Sequence, residues 1–399
     1  MPKMRVRDAS ISIAILLCAM PVAARAQDVV DEDAAIERAL AREGISARDD
    51  AARAASAAEI DVIGPRDNPS VELSREGAGG ESEYQIGVVQ PIDLNGRRGS
   101  LRDAARADGL ATEAEIARRR QVLVAEVRQA YVQCAAASAQ LDVWQRYTEE
   151  LAEAERVSTA RAEAGDTAVY DVRRVRVERR AAEAQLARAR GDVAADCAAL
   201  ASLTGIADPQ VELEAITRLS SAAEPGERAD LLADERRIEA AQYRVRAADQ
   251  ARLPQLAFGV GVLRRDDGID TAYGPVVSVG VTVPLWSSGS ASVRREEARA
   301  AALESELLIA RRRVEAEQNA AEARLAAARE AAITAAGARE DAGRLGTIAE
   351  TAYQAGEIGV VELLDAYEAA READLSVIAL ATDAALAAVE YDLAIGRTY

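Results

Sequence analysis

The chain has 399 residues and a net charge of −18, because 67 acidic side chains outnumber 49 basic ones. So acidic a surface repels a phosphate backbone, which argues against nucleic-acid binding. The sequence contains no histidine and shows no glycine-rich phosphate loop, which argues against the common histidine-based enzymes, most soft-metal sites and a nucleotide cofactor.

The first 26 residues have the pattern of a secretory signal peptide. Lys3, Arg5 and Arg7 form a positive start, residues 11–22 form a short apolar run, and Ala24-Arg25-Ala26 is a cleavage motif. A membrane anchor needs about 18 apolar residues, so this run is too short to remain as one. We therefore expect a secreted chain that starts at Gln27.

The next segment, 27–205, predicts a helix, a β-hairpin and two further helices. The helical pattern over 31–59 ends at a Gly-Pro break, and the hairpin follows over 68–94. No proline interrupts 97–162, so one very long helix is expected there, and a return helix follows over 167–203.

A second segment, 229–399, repeats this order after a mixed linker at 206–228. It predicts an opening helix, a hairpin over 254–285, a long helix over 290–353 and a return helix over 358–394. Corresponding prolines and glycines in the two segments lie about 190 residues apart, so the chain consists of two copies of one unit.

The predicted strands alternate between branched apolar residues and small or polar ones. In the last strand Val277, Val279 and Val281 alternate with Ser278 and Gly280. This pattern is typical of outer-membrane barrel strands, although a soluble sheet packed on the helices would also alternate. Four strands cannot close a barrel, since the smallest has about eight, so a membrane barrel requires several chains.

The duplicated order of elements, together with several motifs, resembles the TolC family of outer-membrane efflux channels. The motifs are Asn68–Val71, Gln90–Arg98, Val283–Leu285, Tyr353–Glu357 and Glu362–Ala366.

The resemblance covers all of the chain after the signal peptide. It implies a mainly α protein with β structure. Three copies would form a twelve-strand barrel in outer-membrane lipid, continued by a twelve-helix periplasmic tunnel.

The resemblance also implies a function and partners. The homotrimer would be a passive exit duct, not an enzyme, and a periplasmic adaptor and an inner-membrane pump would load it. The first strand–helix junction is most similar to the heavy-metal (cobalt-zinc-cadmium) branch. A metal substrate would then be selected upstream, because the chain itself has few metal-binding side chains.

A second hypothesis is a periplasmic coiled-coil adaptor or structural spacer. Helices rich in Ala, Glu and Arg pack in many kinds of bundle, so they do not separate the two hypotheses. The amphipathic hairpins at matched places in both repeats favour the channel.

Cys134 and Cys197 form a candidate disulfide. They lie at nearly equal distances along the chain on either side of the turn at Gly165, so two antiparallel helices would place them at one level. An oxidising periplasm permits the bond. The alternative is two small buried residues that face different neighbours.

Two turns, at Gly165-Asp166 and Gly356-Glu357, would lie at the end of the helices farthest from the strands. Glycine suits the left-handed residue that ends a helix. In the family the equivalent turns meet the adaptor, so these residues are the predicted docking tips.

The resemblance also assigns a periplasmic gate. Glu362 and Asp365 are three residues apart and share a helix face, and they match family positions that ring the narrowest part of the tunnel. Asp171 and Tyr353 match positions that link neighbouring helices and hold the tip closed. The alternative for the two acidic residues is an ordinary solvated helix face.

One member of the family's closing network is missing, since Ile358 occupies the position of its basic residue. Either the network is weaker in this chain, or Arg173 or Arg174 on the facing helix replaces that residue.

Overall fold

The computed structural model describes residues 30–78, 81–211, 227–286 and 289–397. The predicted signal peptide and most of the linker lie outside these residues. The first repeat contains α1 (Glu32–Leu40), α2 (Glu43–Ile63), β1 (Ser70–Ala78), β2 (Glu81–Ile92), α3 (Arg97–Ala164) and α4 (Val169–Thr204). The second contains α5 (Ala229–Gln250), β3 (Gln255–Asp266), β4 (Thr271–Thr282), α6 (Ser290–Ala355) and α7 (Val360–Ala394).

The single helix predicted over 31–59 is instead two helices, α1 and α2, which are separated at Ala41 and Arg42. Arg42 has extended backbone angles, and its guanidinium donates hydrogen bonds to the carbonyl oxygens of Ser202 and Leu203 at the end of α4. The break therefore coincides with a contact to a partner distant in the sequence. No proline lies near it, and Gly44 lies just beyond it in the first turn of α2.

The four strands form one antiparallel sheet in the order β1-β2-β3-β4. The pairing of β2 with β3 joins the hairpin of the first repeat to that of the second. Among the described residues, β1 and β4 have no partner on their outer edges. The long helices leave the sheet from the end opposite to the two hairpin turns.

Two helices, α3 with 68 residues and α6 with 66, extend through the whole helical part. At 1.5 Å per residue each is about 100 Å long. Near the sheet α3 packs against α2 and α5, and farther away it packs against α4 and α7. The helix α6 packs first against α5 and then against α7, so α4 and α6 form the two outer edges of the helical layer.

The middle of α3 is the most enclosed part of the chain. Residues Tyr131, Cys134 and Ala135 are almost fully buried, among α1, α4 and α7. At this level Cys134 and Cys197 are joined by a disulfide, with their Cα atoms 4.7 Å apart. The bond connects α3 to α4 between the sheet and the turns.

A buried ion pair at the same level connects three helices. Arg128 of α3 donates to the Asp392 carboxylate of α7 at 2.7 Å, and it also pairs with Glu32 of α1. Arg128 is 7% exposed and Asp392 is 4% exposed. Asp392 also pairs with Arg397 at 3.3 Å. Replacement of Arg128 would break the links to both α1 and α7, so this residue holds the two helices on α3.

A second buried carboxylate, Asp49, holds α2 against α3. Burial alone would raise its pKa, but hydrogen bonds from Arg120 and Arg48 outweigh burial and hold the pKa of Asp49 below its usual value. A carboxylate with a lowered pKa stabilises the fold above its unfolded pKa, and the stabilisation is lost as the pH falls through the folded value.

We predict that the purified chain carries the Cys134–Cys197 disulfide and that the bond stabilises the helical part. The two cysteines are 63 residues apart, and closing such a loop restricts the unfolded chain by about 4 kcal/mol. Reductant should lower the melting temperature of the helices, measured by circular dichroism. The double variant Cys134→Ala/Cys197→Ala should melt at the lower temperature with or without reductant.

A mass measurement provides the direct check. The denatured protein should take up thiol-alkylating reagent at these positions only after reduction. Alkylation of both cysteines before reduction would show that the bond is absent.

Candidate functional site

One face of the sheet carries branched apolar side chains that no other described part of the chain covers. Val71 is 63% exposed, Leu73 is 76% exposed and Val277 is 67% exposed. The register aligns Val71, Val88, Val260 and Val277 in one row across all four strands. A soluble sheet packed on the helices would bury this face, so that alternative is wrong.

The opposite face is lined by small residues, and the β2 and β3 backbones approach closely there. Gly87 lies opposite Gly261. A Cβ atom at Gly261 would lie 2.5 Å from the Ile86 carbonyl oxygen and 2.9 Å from the Gly87 Cα. Such crowding indicates that the sheet curls toward this face, with the apolar face on the convex side.

The two turns at the far end of the helices have the same hydrogen-bond pattern. Gly165 has φ +84°, and the amide of Asp166 donates to the Arg161 carbonyl at 2.9 Å. Gly356 has φ +80°, and the amide of Glu357 donates to the Ala352 carbonyl at 2.9 Å. Both are Schellman motifs, which explains why each turn contains glycine.

A set of contacts that we call the latch joins the two turns. The Tyr353 hydroxyl and the Ser158 hydroxyl are hydrogen-bonded at 2.7 Å, and both residues are buried. The Arg161 guanidinium lies 4.6 Å from the centre of the Tyr353 ring and donates to the Tyr353 carbonyl at 2.6 Å. The end of α6 is therefore attached to the last turns of α3.

The predicted gate residues do not form one network within the chain. The Asp171 carboxylate accepts a hydrogen bond from the Thr167 hydroxyl at 2.6 Å, within its own turn, and not from Tyr353. Glu362 and Asp365 are exposed on one face of α7. Ile358 packs against the apolar cluster behind the latch, so an apolar contact occupies the place of the family's basic residue.

Sequence reasoning did not identify Ser158 and Arg161. Ser158 lies seven residues before Gly165, and Tyr353 lies three residues before Gly356. Alignment of the two helix ends by their distance from these glycines places Tyr353 level with Ala162, about one helical turn from Ser158, so this spacing does not reveal the contact. Arg161 reaches Tyr353 only through a long, flexible side chain, which residue spacing does not reveal.

A polar cavity of about 310 Å³ lies farther from the turns, between α3, α6 and α7. Asp374 of α7 pairs there with Arg146 of α3 at 3.0 Å and with Arg339 of α6 at 2.6 Å. Burial raises the pKa of nearby Glu150, and Arg146 opposes this shift. The Asp374 carboxylate thus connects three helices, so a movement of α6 and α7 relative to α3 would disturb its ion pairs.

Two features are absent from the described part of the chain. It contains no group of three or more His, Cys, Asp or Glu residues that could hold a metal ion. None of its helices is both long enough and apolar enough to cross a membrane.

We predict that Gly261→Ala impairs assembly of the sheet, because its Cβ would collide with the β2 backbone. Gly280→Ala is the matched control, since its Cβ would meet only the Ala257 side chain at 3.8 Å. The yield of folded protein in membranes should fall several-fold for Gly261→Ala and stay unchanged for Gly280→Ala. Equal yields would contradict the close approach of β2 and β3.

Comparison with solved structures identifies the fold. A membrane protein from Pseudomonas aeruginosa matches with a TM-score of 0.73 and 21% identity, over 92% of this chain and 93% of that one. The outer membrane protein VceC from Vibrio cholerae matches with a TM-score of 0.73 and 16% identity, over 92% and 96%. The MtrE outer membrane channel from Neisseria gonorrhoeae matches with a TM-score of 0.72 and 20% identity, over 92% and 88%.

The sequence itself matches no curated protein. It does match the family model described as outer membrane efflux protein, over residues 23–206 and 223–397. These two segments correspond to the two repeats and together cover most of the chain. The chain therefore belongs to the outer membrane efflux protein family.

Proposed function

We propose that three copies of this chain form the exit duct of a tripartite efflux system. Membership of the family makes the chain an outer-membrane efflux channel that extends into the periplasm. The observation that carries the proposal is the sheet, whose convex face is apolar and whose two edge strands have no partner in the described part of the chain. An adaptor or spacer would have no use for such a sheet.

The edge strands support closure by further copies of the same chain. The sheet has an even number of antiparallel strands, so β1 and β4 run in opposite directions. A β4 edge can therefore pair in antiparallel fashion with the β1 edge of the next copy, and repetition closes a ring.

The expected diameter of the closed barrel supports three copies. Two copies would give eight strands and a barrel about 16 Å across, which side chains fill. Three copies would give twelve strands and a barrel about 24 Å across. The small residues on the concave face, among them Gly87, Gly261 and Ser278, suit an open lumen, so we propose the trimer.

The helical part supports a duct that other proteins load. The helices place the two turns about 100 Å from the sheet, a distance that reaches deep into the periplasm. We assign adaptor docking to these turns, around Gly165, Asp166, Gly356 and Glu357. The pump and the adaptor supply the energy and select the substrate, and the channel provides only a path.

Metal cations are the proposed cargo, on the basis of the strand–helix junction at Gln90–Arg98. Deletion of the gene should increase sensitivity to divalent metals, and the gene supplied in trans should restore resistance. Increased sensitivity only to dyes or detergents would support efflux and refute the metal assignment. Unchanged sensitivity to all three classes, in a strain that expresses the chain, would count against the export function.

We predict that bulky substitutions at the turns abolish export and leave the membrane protein intact. A Cβ at Gly165 or Gly356 meets no atom within 4 Å, so a side chain fits there, but φ above +80° strains any residue other than glycine. Gly165→Trp and Gly356→Trp should each lose resistance while trimers remain in the outer membrane. Gly337→Trp, at an exposed position of α6 where an added Cβ meets no atom within 4 Å, is the control. Full resistance in both turn variants would exclude docking at these turns.

We predict that Glu362 and Asp365 make the channel cation-selective. Three copies would place six carboxylates around one axis, and such a ring attracts cations. In single-channel recordings, Glu362→Ala/Asp365→Ala should reduce cation selectivity and block by divalent ions.

Asp383→Ala is the matched control. It removes one carboxylate from the same helix about 27 Å away from Asp365. If the double variant keeps the selectivity of the wild type, the gate assignment is wrong.

A further inference from the structure

At the end of the sheet nearest the hairpin turns, a row of residues alternates between arginine and tyrosine. The register places Arg75 opposite Tyr84, Tyr84 opposite Arg264, and Arg264 opposite Tyr273. All four are exposed on the convex face, with Tyr84 40% exposed and Tyr273 72% exposed. We call these four residues the outer row.

The outer row lies at one boundary of the apolar face. The neighbouring row toward the helices contains Leu73, Ile86, Val262 and Pro275. From Val283 to Tyr273 the chain advances about 33 Å, which is about 25 Å of height in a strand tilted by about 40°. This height equals that of the apolar band of outer-membrane barrels, which is about 25 Å. Because the helices are periplasmic, the outer row lies at the headgroups of the outer leaflet.

Among the described residues, one of the two arginines of the outer row has no carboxylate partner. The guanidinium carbons of Arg75 and Arg264 lie 5.3 Å and 5.8 Å from the centre of the Tyr84 ring. Arg264 pairs with exposed Asp266 at 3.3 Å. Among the described residues, no carboxylate lies within ion-pair distance of Arg75. Two cations at one ring repel each other, and an anion between them would remove that repulsion.

The concave face at this end of the sheet is different. Arg265, the next residue along β3, points to that face and pairs with the Glu83 carboxylate directly opposite at 2.9 Å. The arginine on the lumen side is therefore neutralised by a cross-strand partner, whereas on the lipid side Arg75 and Arg264 have between them the single carboxylate of Asp266.

We propose that the outer row binds the phosphate groups of outer-leaflet glycolipid. The guanidinium fork pairs with two phosphate oxygens at once, and the tyrosines fit the boundary between acyl chains and headgroups. The proposal rests on outer-membrane insertion and not on export, so loss of transport alone does not affect it.

The test measures binding of purified channel, in detergent, to lipid A carrying both phosphates and to the same lipid after enzymatic dephosphorylation. The readout is the dissociation constant from lipid titrations followed by native mass spectrometry. Wild type should bind the phosphorylated lipid about tenfold more tightly. Arg75→Gln/Arg264→Gln should remove this preference, and Arg265→Gln should keep it.

Two further comparisons distinguish lipid phosphate from free phosphate and keep the test valid if a variant fails to fold. Millimolar inorganic phosphate should not displace the lipid, because the acyl chains contribute through the apolar face. Displacement would show that the row binds free phosphate and would overturn the lipid assignment. The comparison of the two lipids uses wild type, so equal affinities refute the proposal even if the double variant fails to fold. If Arg265→Gln also loses the preference for the phosphorylated lipid, the proposal is refuted as well.

Discussion

The convex face of the four-stranded sheet exposes a band of branched apolar side chains, and the rest of the structure depends on this constraint. Val71, Leu73 and Val277 cannot be covered by the helices of their own chain, since those helices leave from one end of the sheet. Burial of apolar area is the dominant favourable term in folding. The chain therefore requires lipid on one side of the sheet and further strands on its two edges.

The duplication explains how one chain can provide a sheet with two edges for further strands. Each repeat supplies one hairpin and one pair of long helices, and the β2–β3 pairing joins the repeats into a sheet with two opposed edges. The helical layer also ends in two edges, α4 and α6. Buried contacts fix the helices to one another in the middle, through the Cys134–Cys197 disulfide and the Arg128–Asp392 pair. At the tip the latch connects the helices, and about 27 Å away from the turns Asp374 does so.

Local patterns in the sequence were enough to predict most elements. Alternation identified the strands, the lack of proline identified α3 and α6, and Gly165 and Gly356 marked the turns. Contacts between distant residues were not predictable in this way. Arg42 ends α1 by bonding to carbonyls at the end of α4, and Gly261 is required by the β2 backbone. Of the latch residues, Tyr353 was predicted from the family resemblance, whereas its partners Ser158 and Arg161 were identified only in the structure.

Closure of the sheets of three chains into one barrel is the central claim, and cysteine cross-linking tests it most directly. A tilted barrel needs an offset in register around the ring, and the offset falls at the junctions between copies because the rows within one chain run straight across its strands. Val71→Cys is therefore combined in turn with a cysteine at each apolar-face position of β4, from Tyr273 to Val281. Within one chain β1 and β4 are about 14 Å apart, too far for a disulfide. After oxidation, one of these pairs should give a denatured, non-reduced ladder that ends at three chains. A ladder that ends at two chains, or monomers alone for every pair, would contradict closure by three chains.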